Sequence, residues 1–278
     1  MVSRHQLREA IKVIEDATFE GFDEIKQELQ TNINSLKKQL DETDRYHRLL
    51  SQDIGKSQIV YGFTEDFFKQ NQPLHSFTVQ NFVKDWMEKQ SDWRFPMLFL
   101  SPSNPDYTEY CLKSNLVYVC TNNFSRENIV DHVKKKLRKP NLSAPSMFRQ
   151  KPLSHEGKID NDTIPQNQIG TIFSIDYFPY LSIQQIKDFF ISFANLLRPG
   201  GNAMIHITDA DCEPEWKSVV AKKVTYCTVK IIEDLCKQID LEFYNYYHVD
   251  SMYTFFHVGK KGTLSSIKKM PTKIEQVR

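Results

Sequence analysis

The sequence predicts an α/β fold: a mostly parallel sheet covered by helices on both faces, closed by an antiparallel C-terminal hairpin and preceded by a long N-terminal helix. Three observations carry this expectation. From Phe95 onward, short apolar runs alternate with amphipathic stretches of helical spacing, the pattern of a parallel sheet with helical crossovers. The last two strand-like runs, Leu241 to Tyr247 and Ser251 to Val258, are joined by a short connection, which fits a hairpin at one sheet edge. Residues 3–54 carry an apolar stripe at three- and four-residue steps without a proline, the spacing of one helix face.

In chain order, the N-terminal stripe begins after Ser3, a residue suited to an N-cap. It runs through Leu7, Ile11, Ile14, Phe22, Ile25, Leu29, Ile33, Leu36 and Leu40 to Leu50 and Ile54. The repeat is nearly heptad, with extra four-residue steps of the kind that locally unwind a coiled coil. One continuous helix here would be about 75 Å long, too long for a small domain to cover. The expectation is a coiled coil over residues 1–56 that self-associates or docks along a partner helix through residues 3–54. The alternative is two shorter helices broken at Gly21 and packed on the domain. Residues 57–95 are rich in aromatics, with helical spacing from Val79 to Lys89 (Phe82, Val83, Trp86). They are expected to cover the domain that follows, in preference to forming an aromatic ligand box.

The domain itself is expected over residues 96–258. Met97 to Leu100, Leu116 to Cys120, Thr171 to Ile175 and Ala203 to Ile207 read as buried strands. Asn123 to Leu137, Ser182 to Leu197 and Thr228 to Ile239 read as helices, while Lys139 to Gly170 is polar and lacks periodicity. Lys134, Lys135, Lys136, Arg138 and Lys139 form a basic run, read as a solvated helix face ahead of a nucleic-acid contact because aromatics do not interleave with it. Residues 259–278 are expected to be an extended basic tail, either meeting phosphates together with the basic run or docking as a strap onto a partner.

Bulk composition narrows the function classes. A formal net charge of +1 exerts no global pull toward nucleic acid or membrane. The five cysteines are scattered, with no Cys-x-x-Cys pair. Neither a disulfide framework nor a zinc site is indicated, and a reduced, intracellular setting follows, the interior of an infected cell included. No apolar signal region opens the chain and no apolar run is long enough to span a bilayer. Glycine is scarce: nine residues in 278, and none between Gly62 and Gly157. Backbone that folds closely around a phosphate or nucleotide usually needs glycine, so few places in this chain suit that task.

The segment Ile169-Gly-Thr-Ile-Phe-Ser-Ile-Asp-Tyr-Phe-Pro-Tyr-Leu-Ser, the helix after it, and then Leu196-Leu-Arg-Pro-Gly-Gly-Asn-Ala-Met-Ile-His-Ile resemble the back half of a class I S-adenosylmethionine-dependent methyltransferase. The match runs from about residue 169 to 208, and the layout is compatible from about 93 to 258. The resemblance implies a Rossmann-like methyltransferase fold and S-adenosylmethionine as cofactor. In that family the Leu-Arg-Pro-Gly-Gly turn ends a helix and reverses the chain into a strand. The front half departs from the pattern. Where the family carries a glycine loop after its first strand, this chain has Leu100-Ser-Pro-Ser-Asn-Pro-Asp-Tyr. Where it carries an acidic residue after the second strand, to hold the ribose hydroxyls, this chain has Cys120-Thr-Asn-Asn. The cofactor-binding motifs are therefore degenerate.

By this resemblance, the residues placed to meet a cofactor are Ser101, Ser103 and Asn104 in the first loop, Asn122 after the second strand, and Asp176 and Tyr177 after the third. Open sheets bind ligands at that carboxyl edge. Tyr180 and Asp106 lie close by. His206 reads as a satisfied core or edge histidine, and Asp209 and Asp211 as solvated loop acids. No catalytic residue and no metal site is assigned. Two functions compete. One is a cofactor-degenerate, non-catalytic methyltransferase-like domain that serves as an oligomeric structural or interaction module, for example an assembly component of a virus. The other is an active S-adenosylmethionine-dependent methyltransferase with a non-standard cofactor loop.

Overall fold

The computed structural model describes residues 75–100, 107–120, 126–137, 148–151, 159, 163–212, 224–250 and 253–261, together with residues 8, 11, 12, 27 and 30–38. Seven strands form one sheet: β1 (Met97–Leu100), β2 (Val117–Cys120), β3 (Phe148–Lys151), β4 (Ile169–Ser174), β5 (Leu197–His206), β6 (Leu241–Val249) and β7 (Tyr253–Lys260). Their order is β3-β2-β1-β4-β5-β7-β6. The first five are mutually parallel, while β7 lies antiparallel between β5 and β6. The predicted parallel sheet and C-terminal hairpin are both present, with β6 at the edge.

Continuous apolar runs make the central strands because both of their faces are covered. Leu98 and Leu100 join one core cluster, and Met97 and Phe99 the other, as the period-two geometry of a strand requires. On the Phe99 side lie α1 (Phe77–Gln90) and α2 (Arg126–Leu137). The inner face of α1 buries Val79, Phe82, Val83, Trp86 and Met87, while Phe77 is left exposed. Over Phe77–Gln90 the aromatic segment packs on this face of the sheet. On the opposite side lie α3 (Ile183–Leu196) and α4 (Val229–Gln238). Helix α3 starts where it does because Ser182 and Gln185 form a reciprocal capping box. Phe189, Phe190 and Phe193 then fill the core beneath it.

Three features differ from the sequence reading. The polar stretch 139–170 contains β3, an edge strand of sequence Phe-Arg-Gln-Lys whose single apolar residue gives no alternation to detect. The Leu-Arg-Pro-Gly-Gly segment is not a separate turn. It is the irregular start of β5, where Ile169 pairs with Leu197 and the register then jumps to Thr171 with Asn202. Gly200 takes a φ of 75° there, which a side chain rarely tolerates. Arg198 in the same segment reaches Asp92 at 3.2 Å and lies 4.0 Å over the Phe95 ring, clamping the chain between α1 and β1 to the sheet. Finally, β7 runs to Lys260, two residues beyond the predicted end of the domain. Lys260 Nζ donates to Asn167 Oδ1 and to the Ala194 carbonyl, each at 2.6 Å, so this lysine belongs to the domain rather than to a tail.

Of the expected N-terminal helix, residues 30–38 are helical, with Ile33 buried and Leu36 half-buried; Ile11 is buried as well. Most of the 1–56 stripe lies outside the described residues, as do residues 57–74 and 262–278 of the predicted cover and tail. None of the five cysteines forms a disulfide. Among the described residues, no helix is long and apolar enough to cross a membrane.

Candidate functional site

Strands β1 and β4 end side by side, and the Ser174 hydroxyl donates to the Leu100 carbonyl at 3.0 Å, fixing the two ends together. Beyond them the chain turns at Asp176, whose φ of 58° lies in the left-handed region that aspartate visits more readily than most residues. The turn drops the Asp176 carboxylate into the protein, 5% exposed. Its Oδ2 accepts from His75 Nε2 at 2.5 Å, and its Oδ1 lies 3.3 Å from His206 Nδ1. His206 is the last residue of β5, and His75 immediately precedes Ser76, the N-cap of α1. A buried His–Asp–His cluster thus joins the cover segment to two strand ends at the carboxyl edge of the sheet.

Burial pushes the Asp176 carboxyl upward, but hydrogen bonds from His206 and His75 outweigh it and hold the group below the ordinary carboxylate range. It is therefore ionised at neutral pH. The Asp176 backbone N–H also points at His206 Nδ1, 3.2 Å away. The neutral Nε2–H tautomer of His206 accepts that N–H, whereas the imidazolium donates Nδ1–H to Oδ1 instead. Aromatic rings wall the cluster. Tyr107 and Tyr253 lie 5.3 Å and 5.5 Å from the His75 ring, and Tyr253 and Phe255 lie 4.6 Å and 5.6 Å from the His206 ring. Burial raises the Tyr253 phenol, and the nearby Asp176 charge adds to the effect.

The sheet reverses its order between β1 and β4, the switch point where open α/β sheets place ligands. This layout is matched by solved methyltransferases. The CcbJ methyltransferase from Streptomyces caelestis aligns with a TM-score of 0.51 at 11% identity, over 74% of this chain and 100% of that one. The chain has a class I methyltransferase-like fold. Magnesium protoporphyrin IX methyltransferase from Synechocystis PCC 6803, solved with bound SAH, aligns at 8% identity and a TM-score of 0.49, over 77% of this chain and 100% of that one. An S-adenosylmethionine-dependent methyltransferase from Clostridium acetobutylicum ATCC 824 gives 12% identity and a TM-score of 0.49, over 68% and 93%. No family model matches the chain, and no curated protein matches it in sequence. At these identities the likeness concerns the fold alone.

Within the methyltransferase-like domain, the predicted site residues divide. Asp176 lies in the cluster. Tyr177 turns away from it: its ring meets Phe178 and Phe189 edge-on at 5.7 Å and 5.6 Å, inside the core under α3. Ser101, Ser103, Asn104 and Asn122 lie outside the described residues. Cys120, which ends β2, is fully buried, and burial pushes its thiol up to about 12. Asp209 and Asp211 are not solvated acids. They are 1% and 9% exposed, and Asp209 Oδ1 accepts the Asp211 N–H at 3.0 Å while its Oδ2 lies 3.6 Å from His248 Nε2. Among the described residues, no group of three or more such side chains is arranged to hold a metal ion.

Sequence reasoning missed His75, and it missed the link between His206 and Asp176. His206 was legible as a core or edge histidine inside the fourth strand, and the buried-polar rule demands a partner for such a group. The partner's identity depends on residues 30 and 101 positions apart in the chain, which no local pattern encodes.

Proposed function

We propose that this chain is a methyltransferase-like module that does not transfer methyl groups and serves as a structural or interaction component assembled through its N-terminal helix. One observation supports the non-catalytic reading above the others. The carboxylate at the switch point, Asp176, is sealed by the chain's own His75 and His206 and walled by tyrosines. A cofactor with a ribose diol and an ammonium group needs acceptors at this edge. Of the described residues there, Asp176 holds His75 through Oδ2 and has His206 Nδ1 3.3 Å from Oδ1, and Cys120 is a fully buried thiol. Those residues do not fit S-adenosylmethionine, and the prolines that replace the glycine loop agree with them.

Calorimetric titration with S-adenosylmethionine and S-adenosylhomocysteine tests this reading. Enzymes of this kind saturate between about 1 μM and 1 mM, and no saturable heat is expected up to the top of that range. Binding tighter than about 100 μM, abolished by Asn122→Ala, would overturn the reading. A second reading, an active methyltransferase, draws on the same cluster: an ionised carboxylate against imidazoles at a carboxyl edge is a general-base arrangement. The same titration separates the two. The assembly part of the proposal predicts a solution mass by light scattering that is a multiple of 32.7 kDa, and a monomer mass for the full chain at micromolar concentration would reject it.

A further inference from the structure

We propose that the pocket filled by the His75 ring is a binding site for a planar nitrogen heteroaromatic ring carrying an N–H, the class to which imidazoles and purines belong, and that His75 is its built-in occupant. This rests on the reading of a carboxyl edge closed by the chain itself. His75 enters the site from outside the sheet, on the segment that leads into α1, and makes its hydrogen bond to a residue 101 positions away. The site supplies what such a ring requires. A buried, ionised carboxylate accepts one ring N–H through Oδ2. Two tyrosine rings contact the His75 ring, Tyr107 tilted at 51° and Tyr253 edge-on at 71°, arrangements that favour an aromatic guest over an aliphatic one.

The backbone is shaped around this pocket at a conformational cost. Tyr107 has φ 79° and Asp176 has φ 58°; the first is an outlier for a bulky side chain. Non-glycine residues persist in this region only where the surroundings over-determine them, and such residues cluster at ligand clamps. Here both positions touch the His75 ring. A histidine that only fills the core needs one hydrogen-bond partner; here an ionised carboxylate, two aromatic rings and two left-handed residues converge on it at the sheet's ligand edge.

Chemical rescue tests the assignment on the full-length protein. His75→Gly removes the ring, and imidazole is the probe. Imidazole is expected to raise the melting temperature of His75→Gly saturably, by about 5 °C at a concentration a hundredfold above its dissociation constant. Wild type and the double variant His75→Gly/Asp176→Asn are expected not to respond, and cyclopentane, which has the size but no N–H, is expected not to replace imidazole. Absence of rescue, or equal rescue with Asp176→Asn present, overturns the proposal. His75→Ser, which leaves a smaller cavity, is carried through the same titration. If neither variant folds alone, refolding yields with and without imidazole are compared, and equal yields overturn the proposal. Cofactor binding by the wild type would defeat the non-catalytic reading and leave this rescue untouched, whereas failed rescue would leave the cofactor titration as it stands.

Discussion

Alanine at Asp176 is expected to lower folding stability by about 2–3 kcal/mol, the cost of losing a hydrogen bond to a buried charged group and leaving its donor without an acceptor. The loss has a structural reason. Asp176 is the acceptor for His75 on one side and faces His206 on the other. Without it, two buried imidazoles lose their anionic partner, and the link from the cover segment to the strand ends is cut. The pH dependence follows from the direction of the shift. The folded carboxyl titrates below its ordinary value, so its contribution is full above the unfolded pKa of about 3.9 and is lost as pH falls through the lower folded value. Urea denaturation at several pH values should show a wild-type advantage over Asp176→Ala that is constant from pH 7 down to about 5 and narrows below about 4. An advantage independent of pH in that acid range would mean that the carboxylate is not ionised in the folded protein.

Trp86→Ala is expected to cost about 3–5 kcal/mol, the range for removing a large aromatic from a core. Trp86 is completely buried at the centre of the inner face of α1 and meets the His257 ring edge-on at 5.2 Å. His257 is itself buried and neutral, its pKa driven down to about 3 by desolvation. Admitting water beside it adds to the packing loss. Because α1 begins next to His75, loosening the helix also slackens the clasp on Asp176. Phe77→Ala is the control on the same helix: Phe77 is 77% exposed, and its removal should stay within about 0.5 kcal/mol. If the two variants unfold at the same urea concentration, α1 does not pack on the sheet through Trp86.

Both results bear on how the domain is held together. Helices α3 and α4 cover one face of the methyltransferase-like sheet. It is α1, from outside the strand–helix alternation, that covers the other face over β5 and β7 and delivers His75 to the carboxyl edge. The segment that reads as an aromatic cover is thus also the segment that closes the edge.

The sequence by itself determined the strand–helix alternation, the parallel centre and the antiparallel hairpin. These are written in short-range patterns: four consecutive apolar residues in β1, the 3.6-residue stripe of α3 with its Ser182–Gln185 cap, and two aromatic runs either side of Asp250. It also showed that the glycine and acidic signatures of a cofactor site are absent. It could not reveal β3, because an edge strand paired on one side needs little apolar alternation. It misjudged Asp209 and Asp211, because charge alone predicts exposure, whereas Asp209 is buried beside His248 of β6 and Asp211 donates its N–H to Asp209. Only the tertiary structure decided what happens at the carboxyl edge. Asp176 was legible as an edge residue, but its state was not: the groups that hold it come from the start of α1 and the end of β5, and the turn that aims it inward is left-handed. Local periodicity records which face of an element is buried. The partners of a buried charge are chosen by contacts between residues far apart in the chain, and these exist only after the sheet has closed.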